Sequence, residues 1–163
     1  MRKLWLLALC VIGYGAQAQI PQPDPDTTAK HFLIVASIGN LQEVAAAKQA
    51  TAHAKQTDVK SFAQMMVKDH GDAEQKLLAV ARSRNIQLPQ EATAGIQPDL
   101  LLTDANFDKL YVHKMVSGHK STVETFENYA VNGKDPAVKA FAQQMLPTLK
   151  MHLQMIKDIE KKL

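Results

Sequence analysis

Three histidines in this chain each interrupt an otherwise apolar helical stripe. His70 lies on the series Val59, Ala63, Met66, His70, Ala73, Leu77 and Val80. His119 lies on Val112, Val116, His119, Val123, Phe126 and Ala130, and His152 on Val138, Ala142, Met145, Leu149, His152, Ile156, Ile159 and Leu163. Steps of three and four are the spacing of a core-facing helix stripe. A fourth stripe, Ala36, Asn40, Glu43, Ala47, Ala50 and Ala54, is made of small residues with Glu43 as its only acid. Small neighbours let a helix approach its partners closely and draw a carboxylate inward. Imidazole is a good ligand for borderline metals, so three imidazoles and a carboxylate at one depth are a candidate transition-metal site for Zn, Fe or Cu. The competing reading is that no metal binds and each histidine is a hydrogen-bonded core residue, paired with Thr122, Tyr111, Tyr129 or water. A polar layer of that kind also fixes helix register.

Other donors surround this set. Met66 stands four residues before His70, Met115 four before His119, and Met155 three after His152, so each pair shares a helix face. Thioether with imidazole suits Cu(I), although methionine is also a routine core filler. Glu74, four after His70, is within reach of the same layer. Di-iron chemistry is not supported, because the Glu-x-x-His signature is missing: Val67, Val116 and Leu149 stand three before the histidines. No Ser-His-Asp set, phosphate-binding glycine loop or dinucleotide fingerprint occurs, which leaves no catalytic residue to name and leans against an enzyme. His31, His53 and His113 fall on polar faces and are expected to be solvated.

The elements that must position these residues are written as a duplicated helical hairpin. Residues 59–66 and 138–145 match at six of eight positions at an offset of 79, and Gly39 falls on Gly118 at the same offset. The first helix is expected over Lys30–Lys55, with Gly39-Asn40 as a place to kink or split it. A second is expected from a Thr57-Asp58 cap to about Asn85, a third from Asp104 to Asn132, and a fourth from Asp135-Pro136, bent at Pro147. Short links make each pair an antiparallel hairpin. Between the pairs lie about 19 residues, which extended reach about 60 Å, more than the roughly 40 Å of a 27-residue helix. The expected fold class is therefore all-α, a ferritin-like four-helix bundle of two hairpins joined by one long crossover over about residues 85–103. Residues 27–163 then form a single domain.

The N-terminus has the pattern of a cleavable export leader over residues 1–18: Arg2 and Lys3, the apolar stretch Leu4–Ile12, and Ala16-Gln17-Ala18. Leu9 precedes Cys10 where a lipobox takes Gly, Ala or Ser, which argues against lipidation. Residues 19–26, with Pro21, Pro23 and Pro25, read as an extended lead-in. The expected location is the periplasm or the exterior. Removing Arg2 and Lys3 from the 19 basic side chains leaves 17 against 16 acidic ones. No basic face suggests a nucleic-acid partner, and no later segment reaches transmembrane length. Protein partners are not readable, and self-association is left open.

Met66-Val67-Lys68-Asp69-His70, the Phe107-Asp108-x-x-Tyr111-x-x-x-Met115-Val116-x-x-His119 run and Leu146-Pro147-x-x-x-x-His152 resemble signatures of one family. It is a ferritin-like family of unknown function among exported bacterial proteins, often labelled "predicted outer membrane protein". The resemblance covers about residues 27–160 and implies a periplasmic helical bundle with no assigned activity. Helical stripes are not the alternating strands of an outer-membrane barrel, so the label does not fit. These features are compatible with two functions: binding or stress protection with a metal site in the core, or a non-catalytic structural or interaction module.

Overall fold

A computed structural model describes residues 27–90 and 106–163. Four helices account for nearly all of them: α1 (Thr27–His53), α2 (Thr57–Ser83), α3 (Phe107–Asn132) and α4 (Pro136–Glu160). The expected leader, the lead-in and most of the crossover lie outside the described residues. α1 runs unbroken through Gly39 and Asn40, and α4 remains helical through Pro147. Among the described residues α3 runs from Phe107, with Asn106 at its N-cap, and Asp104 lies outside them. No described helix is long and apolar enough to cross a membrane.

Helix ends follow local chemistry. At α4, the Asp135 carboxylate accepts from the Ala137 and Val138 amides at 2.9 and 3.0 Å, with Pro136 in the first turn. α2 ends when Asn85 takes a left-handed φ of 54°. The Ile86 and Asn85 amides then reach back to the Ala81 and Arg82 carbonyls, closing a Schellman turn. Ile86 is buried by that turn. The start of α2 departs from expectation. Gln56, not Thr57 or Asp58, holds the N-cap position, and its side chain makes no cap bond. Instead Asp108 reaches across from α3, accepting from the Lys55 and Gln56 amides at 3.1 and 2.7 Å.

Contacts at the helix ends set the topology. Phe32 near the start of α1 stacks on Tyr129 near the end of α3, with centroids 4.2 Å apart, and Lys55 after α1 meets Asp108 at the start of α3. α1 and α3 are therefore antiparallel neighbours. Asp58 pairs with Lys162, and Arg84 with Asp135, so α2 and α4 are antiparallel neighbours as well. With both hairpins antiparallel, α2 and α3 run in the same direction, and the chain must return the length of the bundle between them. That is the ferritin-like order; in an up-down-up-down bundle α1 and α3 would be parallel.

The core is two apolar clusters. One contains Phe32, Leu33, Leu77, Phe126, Phe141, Met145 and Leu149. The other contains Val59, Phe62, Met66, Tyr111, Met115 and Ile156. Among the described residues, the buried polar side chains are Ser37, Glu43, His70, Asp108, His119 and His152.

Candidate metal centre

Four helices deliver one polar side chain each to the boundary between the two clusters: Glu43 from α1, His70 from α2, His119 from α3 and His152 from α4. The ring centroids of the histidines are 5.6 Å (70–119), 5.4 Å (70–152) and 5.6 Å (119–152) apart. One nitrogen from each ring lies within 4.8 Å of one from each of the others. All three histidines are at most 3% exposed.

Each ring has one nitrogen engaged by an oxygen. Asn40 Nδ2 donates to the His70 carbonyl at 2.9 Å and to Glu74 Oε2 at 2.8 Å, which turns its Oδ1 toward His70 Nδ1 at 2.8 Å. The amide is thereby oriented, and His70 Nδ1 must carry the proton and donate. His119 Nδ1 donates to the Met115 carbonyl at 3.0 Å. His152 Nε2 donates to Asp69 Oδ2 at 3.1 Å. The remaining nitrogens, His70 Nε2, His119 Nε2 and His152 Nδ1, are buried without a partner. With the other positions protonated, all three carry bare lone pairs.

Glu43 stands behind this trio rather than within it. Its two oxygens lie 3.3 Å from His70 Nδ1 and 3.4 Å from His119 Nδ1, the protonated nitrogens. Both N–H groups are already given to Asn40 Oδ1 and the Met115 carbonyl, so Glu43 flanks the two rings as a further polar neighbour. Burial pushes Glu43 up to about 8. Burial, followed by the neighbouring His119 and His152, pushes His70 down to about 3. His119 falls to about 4 through burial and His152, opposed by its bond to the Met115 carbonyl. Burial also lowers His152, against the pull of Asp69. The rings are thus neutral at neutral pH, the form that binds metal. Tyr111, whose buried hydroxyl makes no hydrogen bond, is raised by burial and then by Glu43.

A buried acceptor without a donor costs about 1–3 kcal/mol, and three in one layer call for a donor or a cation. Tetrahedral metal–nitrogen bonds of about 2.0–2.1 Å place the nitrogens about 3.3 Å apart. One nitrogen of each ring already lies within 4.8 Å of one on each of the others, within reach of that spacing by side-chain adjustment.

The other donors suggested by sequence sit elsewhere. Glu74 accepts from Ser37 Oγ at 3.1 Å and from Asn40, and so supports the His70 partner instead of facing the rings. Met66 and Met115 are buried in the apolar cluster below the layer. Met155 is 40% exposed, which removes it from the core and leaves the thioether reading incomplete. His31, His53 and His113 are exposed. Asn40 and Asp69 were not legible as partners of histidines. Asp69 is adjacent to His70 in sequence and so points off its stripe; only the packing of α4 against α2 brings His152 to it.

A crystal structure of a DUF305 fragment from Deinococcus radiodurans superposes on 86% of this chain and 100% of its own, with a TM-score of 0.73 and 13% identity. That likeness establishes the shared helical fold. No curated protein sequence matches. The family model for a domain of unknown function, DUF4142, matches residues 15–159. With that match spanning nearly the whole sequence, the chain belongs to the DUF4142 family.

Proposed function

We propose that this protein binds one divalent transition-metal ion through His70, His119 and His152, with Glu43, Asn40 and Asp69 holding the rings. The single observation that carries this reading is the set of three buried lone pairs, each opposite an N–H already given to an oxygen. Imidazole-only ligation suits Zn(II), Fe(II) or Cu(II), and Cu(I) less well without a buried thioether beside each ring. The role is binding, storage or stress protection rather than turnover, in the periplasm if the basic and apolar N-terminus is an export leader.

A second reading draws on the split core: the layer separates two apolar clusters and would fix helix register without any metal. Metal analysis of protein purified without chelator or affinity tag distinguishes the two. Stoichiometric Zn, Fe or Cu that disappears in His70→Ala and His119→Ala is expected. Metal-free protein whose melting temperature ignores added metals would refute the site.

A further inference from the structure

The two sides of the histidine layer are not filled alike. Toward the start of α2 the rings are closed off. Phe62 meets His119 and His152 edge-on, with centroids 6.5 and 6.3 Å apart, and Val59 and Met66 behind it have no exposed surface. Toward the end of α2 lies a chamber of about 40 Å³, bounded by the His70 and His152 rings and by Ala36, Ala73, Phe141 and Met145. A water needs about 10–15 Å³ of such space, so the chamber takes two or three heavy atoms. Its wall is largely apolar, and the Asp69 carboxylate in it disfavours an anion. A groove of about 350 Å³ between α1 and α3 lies beside the chamber and shares Gly39, Glu43, Thr122 and Phe126 with it.

Resting on the three-histidine reading, we infer that a cation held there keeps one coordination position open to this chamber, and that the position takes a neutral ligand of two or three heavy atoms. Closed structural sites use four protein ligands, whereas sites that exchange ligands keep one place for water or substrate. Phe62 denies that place on one side. Glu43 does not supply a fourth bond, because its oxygens face the protonated nitrogens of His70 and His119.

The test uses Co(II), whose visible bands report its ligand set. Co(II)-loaded protein is titrated without oxygen, first with nitric oxide and separately with imidazole. Nitric oxide is expected to change the bands, and imidazole, too large for the chamber, to leave them unchanged. Ala73→Leu and Ala36→Leu fill the chamber from two different helices. Each should keep the Co(II) bands and weaken the nitric oxide response about tenfold or more, with melting curves confirming the fold. Bands that ignore nitric oxide, an equal response to imidazole, or folded variants that respond like the parent overturn the open position. Wild-type protein that gives no Co(II) bands overturns the metal site itself, a distinguishable result.

Discussion

Replacing His119 with leucine separates a side chain kept for a ligand from one kept for the fold. His119 is fully buried. Its Nδ1–H bond to the Met115 carbonyl at 3.0 Å contributes about 1 kcal/mol net. Losing that bond strands nothing, because the same carbonyl is within the α3 hydrogen-bond ladder. Against it stands the orphaned Nε2, which costs about 1–3 kcal/mol of desolvation. Glu43 loses its contact to His119 at 3.4 Å but keeps that to His70 at 3.3 Å. Metal-free His119→Leu should therefore be as stable as the parent, or more stable by up to about 2 kcal/mol. A bound ion at 100 times its Kd adds about 2.7 kcal/mol to the parent and little to a variant with two rings. At roughly 4 °C per kcal/mol for a domain of this size, the variant melts level with the parent or up to about 8 °C above it in chelated buffer. Saturating Zn(II) raises the parent by about 10 °C and reverses the order. Thermal melts followed by circular dichroism at pH 7.5, with and without Zn(II), provide the assay. A variant destabilised by more than about 2 kcal/mol without metal, together with no response of either protein to Zn(II), would refute the reasoning and favour a register-fixing layer.

Other perturbations test neighbouring parts of the argument. Metal-free protein should be most stable near pH 6.5. The lowered His70 and His119 contribute stability that is complete above about 6.5 and lost as pH falls toward 4 and 3, while the raised Glu43 contributes stability that is complete below about 4.5 and lost as pH rises through about 8. Each group changes stability by at most about 1.4 kcal/mol per pH unit, and a urea midpoint that climbs steadily from pH 5 to 8.5 contradicts this. Asp108→Ala strands the Lys55 and Gln56 amides and should cost about 2–3 kcal/mol in urea unfolding while leaving metal affinity unchanged; loss of metal without loss of stability would contradict the capping role. Gly71→Ala has no atom within 4 Å of the new Cβ and should gain about 0.5–1 kcal/mol of helix propensity. At Gly118 the new Cβ lies 3.3 Å from Glu43 Oε1, so Gly118→Ala should gain less in the same denaturation assay; equal gains would show that Glu43 yields freely.

Much of the bundle was written in local patterns. The four stripes identified the helices, and the single histidine on three of them and the single acid on the fourth pointed to the layer, because a helix face repeats strictly along one chain segment. The loop lengths decided the hairpins. What was missed required contacts between segments. The α2 start cap comes from Asp108, 52 residues from Gln56, and no local cap rule reaches that far. Glu43 was read as a ligand beside the histidines, since depth along a helix can be counted but the orientation of a carboxylate about it cannot. Asn40 is one small residue among alanines in its stripe, and only the fold places its amide between His70 and Glu74.

The internal repeat explains why the centre is lopsided. At the offset of 79, His70 corresponds to Leu149, His152 to Ala73, His119 to Asn40, and Glu43 to Thr122. Leu149, Ala73, Asn40 and Thr122 all line the chamber. The repeated residues flank both places: Phe62 and Met66 back the histidines, and their counterparts Phe141 and Met145 wall the chamber. A bundle made of two like hairpins offers two equivalent polar positions across its axis. One has been filled with three imidazoles and a carboxylate. The other carries Leu149, Ala73, Asn40 and Thr122, whose side chains leave a space against the first. Placing histidine at both would bring six imidazoles into one buried layer, with mutual repulsion on any protonation and twice the number of unmet lone pairs. A single-sided site avoids that cost and places a cavity directly beside the rings.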